Sequence, residues 1–278
     1  MNSLKVFFET PFDPKLSHLL DDSSLVKTSF EDCDLVIHHQ VLWADKATKK
    51  RLKSISEENA CHQKKVVVFI VNDYEYKYRY YDNLILLRTS LRASLQKDNE
   101  YVLPYAWECS KVAFSPLNTS KRPIVGFCGM SNKYRKKNLT LFKQASEVQD
   151  HFILRKRFWG GAPHDPKIVD DFTRNIKDSH YILCDRGKGN FSMRFYQTLA
   201  FGRIPVVLNT DMELPLKKEV PWSEAIIFET SEKLCLERVI ESFQTKDYLA
   251  MQAKCREIHE DFFHPKKVLF LLLRQLIN

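Results

Sequence analysis

Short apolar runs of strand length alternate with amphipathic stretches of helix length along most of the chain. The runs that predict strands are residues 4–9, 34–38, 66–71, 83–87, 101–103, 124–129, 151–155, 181–184, 204–208 and 225–228. Helical periodicity is found at 42–57, 88–96, 138–148, 166–177, 193–201, 231–245, 247–262 and 266–277. This alternation predicts an α/β protein built on parallel sheets with crossover helices.

The alternation is interrupted between Pro104 and Pro123, where the residues from Ser115 onward read SPLNTSKRP and have the composition of a linker. A chain of 278 residues is long enough for two domains. We therefore predict two Rossmann-like domains followed by C-terminal helices that pack back on the first domain. The expected boundaries are 1–115, 121–250 and 251–278.

The most informative stretch runs from Tyr181 to Leu216. It predicts a strand, a glycine-containing turn, a helix and a second strand. Ser192 is a favourable N-cap for the helix, and Gly202 is placed to end it. The turn at 185–190 therefore connects the carboxyl end of a buried strand to the N-terminus of a helix.

Three basic residues, Arg186, Lys188 and Arg194, flank this turn and the start of the helix. Free backbone N–H groups and a helix N-terminus beside positive side chains are suited to a phosphate or diphosphate. Ordinary turn glycines with solvated basic residues are the alternative interpretation. Two arginines around one helix cap favour the anion site.

The same stretch resembles the signature of the exostosin family, glycosyltransferase family 47. The matching pieces, in order, are Arg186-Gly187, Ser192-Met193-Arg194-Phe195, Gly202-Arg203-Ile204-Pro205-Val206, Leu214-Pro215 and Trp222. The resemblance implies a GT-B fold, in which two Rossmann-like domains face a cleft. It also implies an inverting transfer of a sugar from a nucleotide sugar, bound by the second domain, to a hydroxyl of a glycan acceptor that lies against the first.

The resemblance also implies a donor-binding set. Its members are Arg135, Arg186, Gly187, Ser192, Arg194 and Gln197. Family members usually carry glutamate at the position of Gln197, where it is expected to hold the ribose hydroxyls. Glutamine still forms hydrogen bonds with a diol but lacks the charge. Arg135 follows Gly129 in the first turn of the second domain, at the carboxyl end of a predicted parallel strand, which favours donor binding. A solvated basic side chain is the alternative interpretation for this residue.

An inverting transfer needs one base that takes the proton of the acceptor hydroxyl. In GT-B enzymes this base usually comes from the first domain. The candidates at its strand ends are Asp73, which we prefer, then Glu9, with His38 as a further possibility. Each of these residue types is also common as a cap or turn residue.

Two acidic spacings resemble a metal-binding D-x-D motif, Asp32-Cys33-Asp34 and Asp211-Met212-Glu213. The first precedes its strand instead of following it, and the second lies in the loop that the exostosin signature already accounts for. Since the arginines supply positive charge, we expect no metal and no cofactor. The donor substrate is expected to be a UDP-sugar, and UDP-xylose is our choice.

Composition says less than the motifs about the ligand and the cellular compartment. The net charge of +8 suits a phosphorylated ligand, a polyanion or an anionic membrane surface without choosing among them. Seven cysteines without a C-x-x-C pair are typical of free thiols in a reducing compartment. The sequence shows no transmembrane run and no signal peptide, so we expect a cytoplasmic protein of a bacterium, or of a virus acting in the host cytoplasm.

Two other functions stay open. The first is a non-catalytic protein that binds nucleotide sugars or glycans, which loss of the usual glutamate would favour. The second is nucleic-acid binding, favoured by the basic charge and by the run from Tyr74 to Tyr81, which alternates aromatic and charged residues. If extended, this run presents Tyr74, Tyr76, Tyr78 and Tyr80 on one face, where sugars or bases could stack. No recognised nucleic-acid motif accompanies it, and we expect no nucleic-acid partner.

Overall fold

Two all-parallel sheets organise the chain in the computed structural model, which describes residues 3–8, 12–20, 22–43, 45–61, 63–105, 113–118 and 120–277. The strands of the first sheet are β1 Leu4–Phe8, β2 Leu25–Lys27, β3 Leu35–Ile37, β4 Val66–Ile70, β5 Leu84–Arg88 and β6 Glu100–Val102. Their spatial order is β2-β1-β3-β4-β5-β6. The strands of the second sheet are β7 Ile124–Met130, β8 Gln149–Arg155, β9 Tyr181–Leu183, β10 Ile204–Leu208 and β11 Ile227–Glu229. Their order is β11-β10-β9-β7-β8.

Helices connect and cover these strands. They are α1 Asp45–Glu58, α2 Lys136–Gln144, α3 Pro166–Lys177, α4 Met193–Ala200, α5 Glu232–Gln244, α6 Tyr248–Ile258 and α7 Val268–Arg274. Every residue of β4 and β5 is buried, as expected for parallel strands that are covered on both faces. The α/β class and the two-sheet arrangement that the resemblance implied are confirmed.

The C-terminal helices return to the rest of the molecule as the GT-B prediction requires. After α6, a π-helical turn at His259–Phe263 contacts α4. Helix α7 contacts the short 3-10 helix Ser17–Leu20 of the first half, which is the part of the chain that forms the first sheet. The residues of α7 from Val268 to Leu273 are nearly all buried, so the contact is apolar. None of the described helices is long and apolar enough to cross a membrane.

The second sheet has a topological switch point between β7 and β9. The chain passes from β7 to β8 on one side and then returns to β9 on the other side. Open parallel sheets bind ligands outside the carboxyl ends of the strands at such a point. The residues after β7 and β9 are Ser131 to Arg135 and Cys184 to Ser192, which include most of the predicted site.

One predicted element is wrong, and one strand was missed. The helix expected at 88–96 is the end of β5 followed by only a 3-10 turn at Ala93–Leu95. The intervening Thr89 and Ser90 are buried, and their hydroxyls bond Asn72 and Asn190, so tertiary partners override the local periodicity. The edge strand β2 was not predicted, because three residues carry too little periodicity to be recognised.

Candidate anion-binding site

A cleft of about 370 Å³ lies at the switch point of the second sheet. Five of the six predicted donor-binding residues line it, and they are Arg135, Gly187, Ser192, Arg194 and Gln197. Asp73, which follows β4 in the first half, lines the same cleft. The structure therefore brings the preferred base and most of the predicted donor-binding set to one cavity.

Arg194 lies at the floor of the cleft and is 8% exposed. Its Nη2 donates to the Cys128 carbonyl at 2.6 Å, and its Nη1 donates to the Leu183 carbonyl at 3.4 Å. The guanidinium packs 4.4 Å from the centre of the Phe127 ring. A Cβ at Gly129 would lie 2.8 Å from Nη2, so glycine at this position leaves room for the guanidinium. Arg194 is thus held rigidly with donor capacity left over.

Arg135 packs against the same Phe127 ring, with its Cζ atom 5.5 Å from the ring centre. Its Nη1 donates to the Met130 carbonyl at 2.9 Å, and its Nη2 donates to the Asp185 carbonyl at 3.3 Å. Backbone carbonyls therefore fix both arginines. Neither guanidinium forms an ion pair with a carboxylate in the part of the chain that the structure describes.

The two guanidinium charges are close enough to affect each other. Burial, with a smaller contribution from the charge of Arg194, lowers the pKa of Arg135 to about 10. Burial likewise lowers the pKa of Arg194. Since an arginine guanidinium is not deprotonated in proteins, the cleft carries positive charge that an anionic ligand would neutralise.

Asp185 is a buried carboxylate beside Arg135, and sequence reasoning did not single it out. Burial raises its pKa to about 6, while hydrogen bonds from Asn138 and from the amide of Leu208 oppose the rise. It is mostly ionised at pH 7 and offsets part of the charge of the two arginines. Because these bonds hold it to α2 and β10, it fixes the start of the turn.

The N-terminus of α4 faces the cleft, but Ser192 does not cap it as predicted. Ser192 has the extended backbone of a cap residue, yet its side chain makes no capping hydrogen bond. The amides of Met193 and Arg194 have no acceptor among the described residues. The hydroxyl of Ser192 and these two amides are therefore available to a ligand.

The turn itself offers fewer free amides than the sequence predicted. The Gly187 amide donates to the Phe191 carbonyl at 3.4 Å, and the Asn190 amide donates to the Ser90 hydroxyl at 2.8 Å. Asn190 is also 1% exposed, and its side-chain amide bonds the Asp211 carbonyl. The expectation of free backbone N–H groups in this turn therefore fails for Gly187, whose amide is engaged within the turn, and for Asn190, whose amide is engaged by the first half.

Gln197 lies one turn further along α4 and lines the cleft with its side chain half-buried. Its backbone carbonyl accepts from the Phe201 amide, as a helix requires. Gly202 then ends α4 with a φ of +59°, which confirms the predicted C-terminal glycine.

Arg186 is the predicted residue that does not line this cleft. Its guanidinium packs 4.5 Å from the centre of the Tyr134 ring and pairs with Glu75 of the first half. It lines a smaller adjoining cavity of about 230 Å³ together with Asp185. The structure therefore separates Arg186 from Arg194 and Arg135.

Of the other two candidate bases, one lies outside the described residues and the other does not line the cleft. Glu9 lies outside the described residues. His38 is buried next to His39 on the side of α1, and burial lowers its pKa to about 4, so it is neutral at pH 7. Asp73 is the candidate base that the structure places in the cleft.

Several cleft residues were missed in the sequence. Arg155 at the end of β8 lines the cleft and pairs with Asp171 of α3 at 2.7 Å. An apolar wall consists of Phe158, Ile168, Val169, Phe172 and Phe201. Amphipathic periodicity identifies α3 as a helix, but it does not show that part of its apolar face borders a cleft instead of the core.

The tyrosine run does not form the predicted platform. Tyr78 is 2% exposed and packs over Arg88, whereas Tyr76 and Tyr80 are each 45% exposed, so these side chains do not share one face. Tyr74 and Tyr76 stack on each other with ring centres 5.3 Å apart. Because residues 73–80 are not a strand, alternation along them does not place side chains on two faces.

The acidic pairs take part in hydrogen bonds of the loops that contain them. In the described ranges, no group of three or more His, Cys, Asp or Glu side chains could hold an ion. Asp34 accepts from the Lys5 amide, and Asp211 accepts from the amide and hydroxyl of Ser94. These carboxylates stabilise loops through hydrogen bonds.

Part of the signature is structural. Trp222 donates its indole N–H to the Pro215 carbonyl at 3.0 Å and packs on Phe195 of α4. Arg203 is 4% exposed and donates to the carbonyls of Lys177 and Ser115. These contacts stabilise the packing of α4 and of the start of β10 away from the cleft lining.

The comparison with protein families gives one match. The exostosin GT47 domain model matches residues 66–240. That range contains Asp73, all six predicted donor-binding residues, three of the six strands of the first sheet and the whole second sheet.

Curated relatives match shorter stretches. A probable glucuronosyltransferase of Oryza sativa subsp. japonica is 30% identical over 108 residues, which cover 38% of this chain and 25% of that protein. Exostosin-1 of Drosophila melanogaster is 27% identical over 34% of this chain and 12% of its own. A probable beta-1,4-xylosyltransferase of Arabidopsis thaliana is 27% identical over 38% and 25%. The chain thus spans about a quarter or less of these relatives.

Solved structures superpose on the chain with low scores. An S. aureus MnaA–UDP co-structure gives a TM-score of 0.38 at 10% identity, covering 99% of this chain and 97% of that chain. A putative UDP-N-acetylglucosamine 2-epimerase from Listeria monocytogenes gives 0.36 at 9% identity, with 91% of each chain covered.

Proposed function

Because the chain belongs to the exostosin GT47 domain family, we propose that it is an inverting, metal-independent glycosyltransferase. It transfers a sugar from a UDP-sugar to a hydroxyl of a glycan acceptor. The observation that carries this proposal is the cleft that Arg135, Arg194, the free N-terminus of α4 and Asp73 line together. Positive charge without an ion-paired carboxylate suits the diphosphate of the donor, which gains negative charge as it leaves.

The roles follow from position. Arg194 and Arg135 bind the diphosphate, together with the Ser192 hydroxyl and the amides of Met193 and Arg194. Gln197 holds the ribose hydroxyls. Asp73 takes the acceptor proton while the sugar passes through an oxocarbenium-like transition state. This scheme needs no second catalytic side chain on the acceptor side.

The donor we propose is UDP-xylose, with UDP-glucuronic acid as the second candidate. The names of the plant relatives, a xylosyltransferase and glucuronosyltransferases, support these two sugars. A panel of UDP-sugars with oligosaccharide acceptors, read by UDP release and by the anomeric configuration of the product, tests the proposal. Transfer with inversion from one of these donors is the expected result. Tight UDP binding without turnover on any donor and acceptor would instead indicate a binding protein.

Metal independence gives a direct prediction. If the arginines and the start of α4 take the place of an ion, excess EDTA should change the transfer rate by less than about twofold. The measurement is initial UDP release with and without EDTA, followed by addition of manganese. Loss of activity with EDTA and recovery with manganese would contradict the proposed charge compensation.

Gln197 gives a second prediction. Its amide replaces the carboxylate usual in the family, and charge-assisted hydrogen bonds are stronger than neutral ones. Gln197→Glu should therefore retain or tighten UDP binding, whereas Gln197→Ala should weaken it by about 1 kcal/mol. Calorimetric titration of the three proteins with UDP measures this. Equal affinities would remove Gln197 from the ribose site.

A further inference from the structure

A short segment of the first half, residues 73–76, is joined to the turn of the second half by a carboxylate outside the donor-binding set. Glu75 accepts from Nη2 of Arg186 through one carboxylate oxygen and from Nε of Arg92 through the other. The Glu75 side chain is 16% exposed and that of Arg186 is 6% exposed. Since Arg92 belongs to the first half and Arg186 to the second, one carboxylate connects the two halves.

Arg186 is held in this position from its other sides. Its Nη2 also donates to the Lys188 carbonyl at 2.9 Å, and its guanidinium packs on the Tyr134 ring. Its Nε is buried and has no partner among the described residues. A guanidinium this enclosed keeps its geometry only while its carboxylate is present, because a buried unpaired charge is unfavourable.

A stack of side chains forms a second contact between the 73–76 segment and the turn. Lys188 of the turn lies 5.1 Å from the centre of the Tyr74 ring, and Tyr74 stacks on Tyr76 with an interplanar angle of 4°. Lys49 of α1 covers the other end, 4.8 Å from the centre of the Tyr76 ring. The 73–76 segment thus touches the turn through both a charged and an aromatic contact.

These contacts bring Asp73 against the turn. A Cβ placed on Gly189 would lie 2.9 Å from the Asp73 Cα and 2.9 Å from its Oδ1. The absence of a side chain at Gly189 therefore permits the two backbones to approach. Asp73 is only two residues from Glu75, so the position of Glu75 determines where the Asp73 carboxylate lies over the cleft.

We propose that Glu75 is a positioning residue that, through its ion pair with Arg186, fixes Asp73 at the correct place relative to the donor. This inference rests on the proposed function. Glu75 and Arg186 touch neither donor nor acceptor in this scheme. They fix the geometry of the base, where a displacement of about 1 Å can lower the rate by about 10²-fold.

The test is a double-mutant cycle of Glu75→Gln, Arg186→Gln and the two combined. Each single variant should lower kcat about 10- to 100-fold and leave the KM for the donor and the Kd for UDP within about threefold. The combined variant should be no slower than the slower single variant, because both changes remove the same contact. Glu57→Gln is the matched control, since Glu57 is an exposed carboxylate paired with Lys53 on α1, and it should retain full activity.

A second readout does not depend on turnover. Hydrogen exchange at the amides of 73–76 and 186–191 should become about tenfold faster in Glu75→Gln and remain unchanged in Glu57→Gln. Unchanged exchange, or an unchanged kcat in Glu75→Gln, would overturn the positioning role. So would a loss of UDP affinity in Arg186→Gln as large as that in Arg194→Ala, because Arg186 would then bind the phosphate directly. A wild-type protein that turns over no donor would instead reject the proposed function, and the exchange data would still decide whether Glu75 fixes the segment.

Discussion

Arg194→Ala should lower kcat/KM for transfer by roughly 30- to 1,000-fold, which corresponds to about 2–4 kcal/mol of transition-state stabilisation. Arg194 is the most deeply placed cation of the cleft and is already oriented by the carbonyls of Cys128 and Leu183. It therefore needs no rearrangement when charge develops on the leaving diphosphate. Initial rates across donor concentrations, together with UDP calorimetry, measure the effect.

The control must distinguish a loss of catalysis from a loss of folding stability, because Arg194→Ala also leaves two backbone carbonyls without a donor. Arg203→Ala is matched in this respect. Arg203 is equally buried in the same half and donates to backbone carbonyls, but it does not line the cleft. It should lower the melting temperature and spare the turnover of the folded fraction. Wild-type turnover in folded Arg194→Ala would exclude the role assigned to Arg194.

Asp73→Asn should lower kcat by about 10²- to 10⁴-fold, the usual contribution of a positioned general base. The amide is almost the same size as the carboxylate, so contact with Gly189 is retained while the ability to accept a proton is lost. The affinity for UDP should stay within about twofold, since the diphosphate is assigned to Arg135 and Arg194 and not to Asp73. Pre-steady-state UDP release and UDP titration measure the two quantities separately.

Two variants accompany this test. Asp82→Asn changes an exposed aspartate of the same half and should have no effect. Glu9→Gln examines the second candidate base that the sequence offers. Loss of turnover in Glu9→Gln combined with retained turnover in Asp73→Asn would assign the base to Glu9.

The sequence by itself determined the class of fold and the centre of the site. Continuous apolar runs such as 66–70 are long enough to identify buried parallel strands, and the strand, turn and helix around Arg194 follow from local rules of capping and periodicity. Gly202 ends α4 where expected, since a left-handed residue at that point is a local requirement. Capping and periodicity depend on residues that are neighbours in the sequence, so they can be recognised without the tertiary structure.

Only the tertiary structure decided which charges remain available to a ligand. Arg186 and Arg194 are equivalent in the sequence pattern, yet one pairs with Glu75, 111 residues away, and the other faces the cleft. The amide of Asn190 is likewise engaged by Ser90, 100 residues earlier. The tyrosine run does not form a stacking platform for the same reason, because the Tyr78 ring packs on Arg88. Residues far apart in the sequence compete to bind each polar group, and spacing along the chain does not show which of them binds it.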